Sequence, residues 1–312
     1  PSWDCLPYDR VSPNLEISSA RMGILSKFAN NIAKNYVVLT TLNAVLQKVP
    51  CSSVVKSYGF KAVVGRNINE SNLREFLVRM GFTKSSTVRE AGEYAIRGGI
   101  IDIFPPRYSN PVRLDLFGTI LDGARLFDPE TQLTIKKLHE IELAPVSEVV
   151  LDEFSIRNFR QSYRAEFGSS LSNDPLYLSV SAGRKYQGLE HWLPLFYEKL
   201  DTFFSYFPSA TVTMYKSLET DLSSRCKLVA DQYEARNFAN NNKPTKDYAY
   251  KPLKPTALYL DEADWVNLIK TRRTLIFDPF PQPLGPNIID SGGRSGRNFA
   301  PERQSNNLNL FS

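Results

Sequence analysis

No stretch of the 312-residue chain approaches the ~20 consecutive apolar residues that a membrane helix needs, so a cytoplasmic protein with no membrane partner is expected. Cysteine is scarce. Cys5, Cys51 and Cys226 are odd in number and far apart, which gives no disulfide framework and no ligand spacing, and fits a reducing compartment. Histidine is scarcer still. His139 and His191 stand apart from each other and from every cysteine, leaving a zinc site or a histidine-based triad little to draw on. A phosphate loop is also missing. The spaced glycines Gly59/Gly65 and Gly183/Gly188 run on into Arg66-Asn67 and Leu189-Glu190, where a Lys and a hydroxyl would have to grip phosphate and metal. Neither a catalytic residue nor a metal or cofactor is therefore expected in this chain. It opens Pro1-Ser2-Trp3-Asp4, without Met or a basic leader, and a piece of a longer protein is expected.

What is present reads as a globular chain, with 42% hydrophobic and 12% aromatic residues and a net charge of +5 spread along its length. That charge permits nucleic-acid contact without demanding it. Residues 1–56 read as α/β. A helix is expected over 18–33, on the stripe Met22, Leu25, Phe28, Ala29 and Ile32. A core strand is expected over 36–40, and a short helix over 42–48 capped by Thr41. Residues 57–145 read as a separate α+β unit: a strand over 57–64, a helix over 71–80 capped by Ser71 with Gly81 at C′, then strands at 93–97, 100–104, 112–117, 124–127 and 133–141 in one sheet. The loop Pro105–Pro111 joins two of these as a hairpin. Residues 146–280 return to α/β, with helices over 154–167 and 218–238 and strands over 177–182, 203–207, 211–215, 257–260 and 275–277. Residues 281–312, rich in Pro, Gly, Ser and Asn, read as a linker or tail.

The most telling stretch is Val112-Arg113-Leu114-Asp115-Leu116-Phe117. Side chains on a strand alternate, so Val112, Leu114 and Leu116 point one way and Arg113, Asp115 and Phe117 the other. Arg97 shares a face with Glu93 and Ala95 on an earlier strand. A charge ladder with Glu93, Asp102 and Asp115 accounts for the arginines. It does not account for Phe117, whose place on a polar face is what a docking surface looks like. The residues alone leave both readings open.

Other motifs carry less. Asp261-Glu262-Ala263-Asp264 spells a helicase acidic box, but without a phosphate loop it reads as the acidic first turn of a helix. Gly292-Gly293-Arg294-Ser295-Gly296-Arg297 reads as flexible tail, and Lys270 with Arg272-Arg273 as a solvated helix end. Trp3 and His191-Trp192 read as packing. Asp102 and Asp115 fall on neighbouring strands with no cleft between them, which favours structure over acid–base chemistry.

The run Gly92-Glu93-Tyr94-Ala95 through Phe104-Pro105, then Arg113-Leu114-Asp115-Leu116-Phe117-Gly118, then Arg125 to Asp128 and Gln132, resembles the bacterial transcription-repair coupling factors (Mfd) and, more loosely, UvrB. Trp3-Asp4-Cys5-Leu6-Pro7-Tyr8-Asp9 and Leu189-Glu190-His191-Trp192-Leu193-Pro194 carry the same likeness, which spans roughly 1–280. It implies an N-terminal UvrB-homology module of α/β class. A degenerate helicase-like (P-loop NTPase-type) domain, 1–56 and 146–280, would be interrupted by an inserted α+β domain, 57–145, with one mainly antiparallel sheet. The insert would bind UvrA through Arg97, Arg113 and Phe117. The resemblance also implies masking of that surface by a C-terminal autoinhibitory domain. RNA polymerase, duplex DNA, ATP and Mg²⁺ would be handled by other domains that have no counterpart in these residues. On this reading the chain is not itself an enzyme, and Ala at Arg113 or Phe117 should remove UvrA binding with little loss of stability. The alternatives are an ATP-dependent DNA translocase or helicase domain, motivated by Asp261–Asp264, and a direct DNA-binding module.

Overall fold

A computed structural model describes residues 1–30, 35–106, 108–168, 173–241, 250–280, 282–283 and 285–292. Helix α1 (Leu15–Ala29) starts where the Asn14 side chain accepts the Glu16 N–H, three residues earlier than the apolar stripe alone indicates. Residues 31–33 of the expected helix lie outside the described residues. Thr41 caps α2 (Leu42–Leu46) as expected, but the helix is shorter because Gln47 turns extended. Strand β1 (Val49–Pro50) follows, then helix α3 (Ser52–Ser57), which was not expected and takes Ser57 from the start of the strand expected over 57–64.

The expected core strand at 36–40 is not one. No described strand pairs with it, and Val37 and Leu39 are 89% and 91% exposed. Its β-branched run satisfies strand propensity, but a strand also needs a hydrogen-bonding neighbour.

Strand β2 (Phe60–Val63) leads into α4 (Glu70–Arg79), capped by Asn69 rather than Ser71, with Gly81 in the left-handed region just past its end. Strands β3 (Thr83–Lys84), β4 (Glu93–Arg97), β5 (Ile100–Ile103), β6 (Val112–Phe117), β7 (Ile120–Phe127) and β8 (Thr134–Leu138) form one six-stranded sheet in chain order. It is antiparallel except for β3 beside β4. The expected single strand at 133–141 is two. His139 breaks it, and β9 (Glu140–Leu143) leaves the sheet to pair antiparallel with β2, Phe60 opposite Leu143. The unit therefore has a second, two-stranded sheet.

The inner face of the large sheet buries Ile101, Ile103, Val112, Leu114 and Leu121 completely against Leu73 and Leu77 of α4. At about 1.5–3 kcal/mol for each large apolar side chain, this face is what holds the sheet in place. The unit also presses on α1. A Cβ on Gly23 would stand 2.5 Å from the Pro106 carbonyl, so only glycine permits that approach.

The chain then forms α5 (Glu153–Phe167), with an Asp152–Ser155 capping box, and α6 (Pro175–Ser181). A strand was expected at 177–182. Asp174 accepting the Tyr177 N–H, with Pro175 at N1, starts a helix there instead and overrides the β-propensity of Tyr177 and Val180. A 3₁₀ helix (Leu189–Leu195) and β10 (Leu200–Asp201), paired with β1, come next. A second 3₁₀ turn (Phe203–Tyr206) replaces the strand expected at 203–207. The remaining elements are β11 (Val212–Tyr215), α7 (Leu218–Asn241), α8 (Pro255–Leu258), α9 (Glu262–Lys270) and β12 (Thr274–Phe277), which pairs parallel with β11. Pro255 at N1 makes 255–258 a helical turn rather than the start of a strand.

An aromatic core of Phe159, Tyr163, Tyr177, Trp192 and Phe196 joins α5, α6 and the first 3₁₀ helix. The architecture is mixed α/β with several sheets. No described helix is long and apolar enough to cross a membrane. Residues 282–283 and 285–292 of the expected tail form no helix or strand, and 293–312 lie outside the described residues.

Candidate functional site

The outer face of the six-stranded sheet, away from α4, gathers the polar residues of β4 to β8. Register sets Ala95, Asp102, Arg113, Arg125 and Lys137 in one row across five strands. The next row runs Arg97, Ile100, Asp115 and Gly123, and Phe117 faces Ile120 across the β6–β7 turn. A register shift after Asp115 twists that end of the ladder.

Arg97, Arg113 and Phe117 thus lie on one face, as strand alternation predicts. Asp102 ties the two arginines together. Its carboxylate is fully buried, yet Arg113 Nε donates to Oδ1 (2.6 Å) and Nη2 to Oδ2 (2.9 Å), and Arg97 Nη2 also donates to Oδ2. The hydrogen bonds to Asp102 hold the Arg113 guanidinium above its ordinary pKa. Beneath it lies the Phe127 ring, 4.5 Å from the guanidinium carbon to the ring centroid. Phe127, Val88 and Ala95, with Phe104 alongside, form a small second core on this outer side of the sheet.

The ladder of ion pairs is real, and Arg125 with Asp115 extends it at 2.8 Å. Glu93 is not a rung: its Oε2 accepts the Arg89 and Glu90 backbone N–H groups. The ladder leaves Phe117 unexplained, because that ring is 80% exposed, next to half-exposed Ile120 and Ile100. The Arg97 side chain is 51% exposed and Arg113 only 18%. The two arginines are therefore unequal. Arg97 reaches outward, whereas Arg113 covers Asp102 and Phe127, and its removal would strip a buried carboxylate of its partner.

Turn geometry sets this end of the sheet. Gly98 takes the left-handed region, and a side chain on Gly99 would press within 2.7 Å of the Leu116 carbonyl, so β4–β5 closes tightly beside β6. Ile120 was outside the expected strands. The two-residue turn Gly118-Thr119 was the signal that pairs it with Phe117. Asn67 bridges to Ile120 from the other side and accepts from the Thr119 hydroxyl.

The other candidates have structural partners. Asp261 caps α9 by accepting the Asp264 N–H, with Glu262 and Asp264 in the first turn. Arg272 donates to the carbonyls of Phe204, Phe207 and Pro208, closing the second 3₁₀ turn. Trp3, His191 and Trp192 are buried, and Trp192 Nε1 donates to the Lys251 carbonyl. Residues 293–297 lie outside the described residues.

Comparison with known proteins places this face inside a recognised domain. Residues 60–149 match the family described as the UvrB interaction domain. The chain is similar to the transcription-repair-coupling factor of Rickettsia bellii, 30% identical over 276 residues, covering 88% of this chain and 24% of that protein. It is 32% identical over 260 residues to the factor of Escherichia coli K12, covering 83% and 22%. The Bacillus subtilis factor is 30% identical over 213 residues, covering 63% and 18%. The chain spans about a quarter of the length of the relatives it matches over most of its own length.

Proposed function

The chain is a module of a transcription-repair coupling factor, with its UvrB interaction domain at 60–149, and from that premise we propose that it is a non-catalytic docking module that recruits UvrA. The docking face is the outer side of the six-stranded sheet, with Arg97 and Phe117 as contact groups and Arg113 beside them. The observation that carries this reading is the exposure of Phe117 next to two arginines already oriented by one buried carboxylate. A large exposed aromatic flanked by guanidiniums fits an acidic partner surface with an apolar pocket, and Arg supplies a fork that Lys does not copy.

In the longer protein, this module would link stalled RNA polymerase to nucleotide excision repair. The motor that uses ATP and Mg²⁺ on duplex DNA would lie in other domains. A C-terminal domain would cover the docking face at rest. Residues 1–56 and 146–280 would form a degenerate helicase-like frame around the insert, and 281–312 would lead onward.

The test is titration of UvrA with the wild-type chain and with Phe117→Ala. The wild type binds, and Phe117→Ala loses binding while melting at the same temperature. Equal binding by the two would sink the assignment. One observation favours direct DNA contact as a second reading: Arg113, Arg125 and Lys137 share one row. A gel shift that stays empty at low salt removes it.

A further inference from the structure

Gln132 is one of two non-glycine residues with a positive φ among the described residues, at 62°. It closes the turn after β7. Its N–H donates to the Asp128 carbonyl, and Asp128 Oδ1 accepts from Glu130 and Thr131. Gly or Asn is the usual occupant of such a place, since other side chains are strained there. Every polar atom of the Gln132 side chain is in use. Its Nε2 donates to the carbonyls of Pro129 (2.8 Å) and Val88 (3.4 Å), and its Oε1 accepts from Arg113 Nη2 (3.2 Å). That pattern suits an amide. Glu would set a carboxylate oxygen against two carbonyls, and Asn is a methylene too short to span the same distance.

We propose that Gln132 is a positioning residue of the docking face: it takes the second N–H of the Arg113 Nη2 that Asp102 already engages, and through the carboxylate the two arginines share it sets where Arg97 points. Asp102 engages Nε and Nη2, Gln132 engages Nη2 again, and Phe127 lies beneath. The corner left without a hydrogen bond from the described residues is Nη1. A partner carboxylate would therefore meet Nη1 of Arg113 beside the exposed Arg97. This inference rests on the docking reading above.

Gln132→Gly separates the alternatives because it relieves the backbone while deleting the clamp. The experiment measures UvrA affinity and melting temperature for the wild type, Gln132→Gly and Phe117→Ala, and water exchange of the Arg113 Nε–H by NMR in the chain alone. The expected result for Gln132→Gly is an affinity about tenfold lower, a melting temperature within about 3 °C of wild type and faster Nε–H exchange. If Gln132→Gly binds UvrA like wild type while Phe117→Ala does not, the positioning role falls and the docking reading stands. If Phe117→Ala binds like wild type, the docking reading itself has failed. A variant that melts far lower, or leaves the Arg113 Nε–H exchange unchanged, overturns the role, since Gln132 would then be holding the loop and not the guanidinium.

Discussion

Glu148 and Asp102 are both buried carboxylates that hold arginine, and their surroundings differ. Around Glu148 everything is sealed. Arg21 Nε and Nη2 donate to its two oxygens at 2.9 Å, Trp3 Nε1 donates at 2.8 Å, and the Tyr197 hydroxyl donates to its backbone carbonyl. Arg21 is buried too. Around Asp102 the carboxylate is equally hidden, but one of its arginines stands half in solvent and an exposed phenylalanine lies close by on the same face. The same chemistry thus does two jobs. Closed on all sides, it staples the N-terminal segment to the segment that follows β9. Left open on one side, it leaves one of its cations half in solvent, which on the proposed docking reading would meet a second molecule.

The comparison breaks first on stability. Glu148→Ala leaves a buried guanidinium unpaired and should cost about 3–5 kcal/mol in a urea melt, with UvrA affinity unchanged in whatever fraction remains folded. A loss as large on the Asp102 side from Phe117→Ala would erase the distinction.

The sealed side should also respond to acid. His191 is buried edge-on to Trp3, and burial depresses its pKa to about 4. The unfolded chain takes up that proton near pH 6.5, the folded chain only near 4. Stability should therefore fall as pH drops through this window, by about 3 kcal/mol in full. Buried Glu190 is shifted upward and works in the opposite sense, because the folded form is protonated first. Comparing chemical melts of wild type and His191→Gln across pH 7 to 4 isolates the histidine's share.

On the open side, the largest effect belongs to Phe117→Ala: about 2 kcal/mol or more of UvrA affinity by calorimetry, with the melting temperature unmoved. Arg113→Ala should lower both affinity and stability, because that side chain covers Asp102 and Phe127. The smallest effect is Arg97→Lys, which keeps the charge and loses the fork. It should weaken binding by less than about 1 kcal/mol, and added salt should narrow the gap further.

Local pattern made α4, α5 and the hairpin of β5 and β6 legible, because each has a clear period and a cap or turn at its ends. Apolar content misled where the partner decides the outcome. Residues 36–40 have strand composition without a neighbour, and Tyr177 sits in a helix because Asp174 and Pro175 begin one. The site divides in the same way. Alternation placed Arg97, Arg113 and Phe117 on one face. It did not reveal that a single carboxylate serves both arginines, because pairing register decides that. Nor did it reveal the hydrogen bond from Arg113 to Gln132, since nothing local links a turn residue to that guanidinium.

The pairing of β2 with β9 has a practical consequence. Strands β2 and β9 lie side by side, Phe60 opposite Leu143, so the chain enters and leaves the six-stranded sheet's unit at one place. Excised there, residues 60–143 would have adjacent ends that fit a surface loop of an unrelated host, the outer face of the sheet travelling with them.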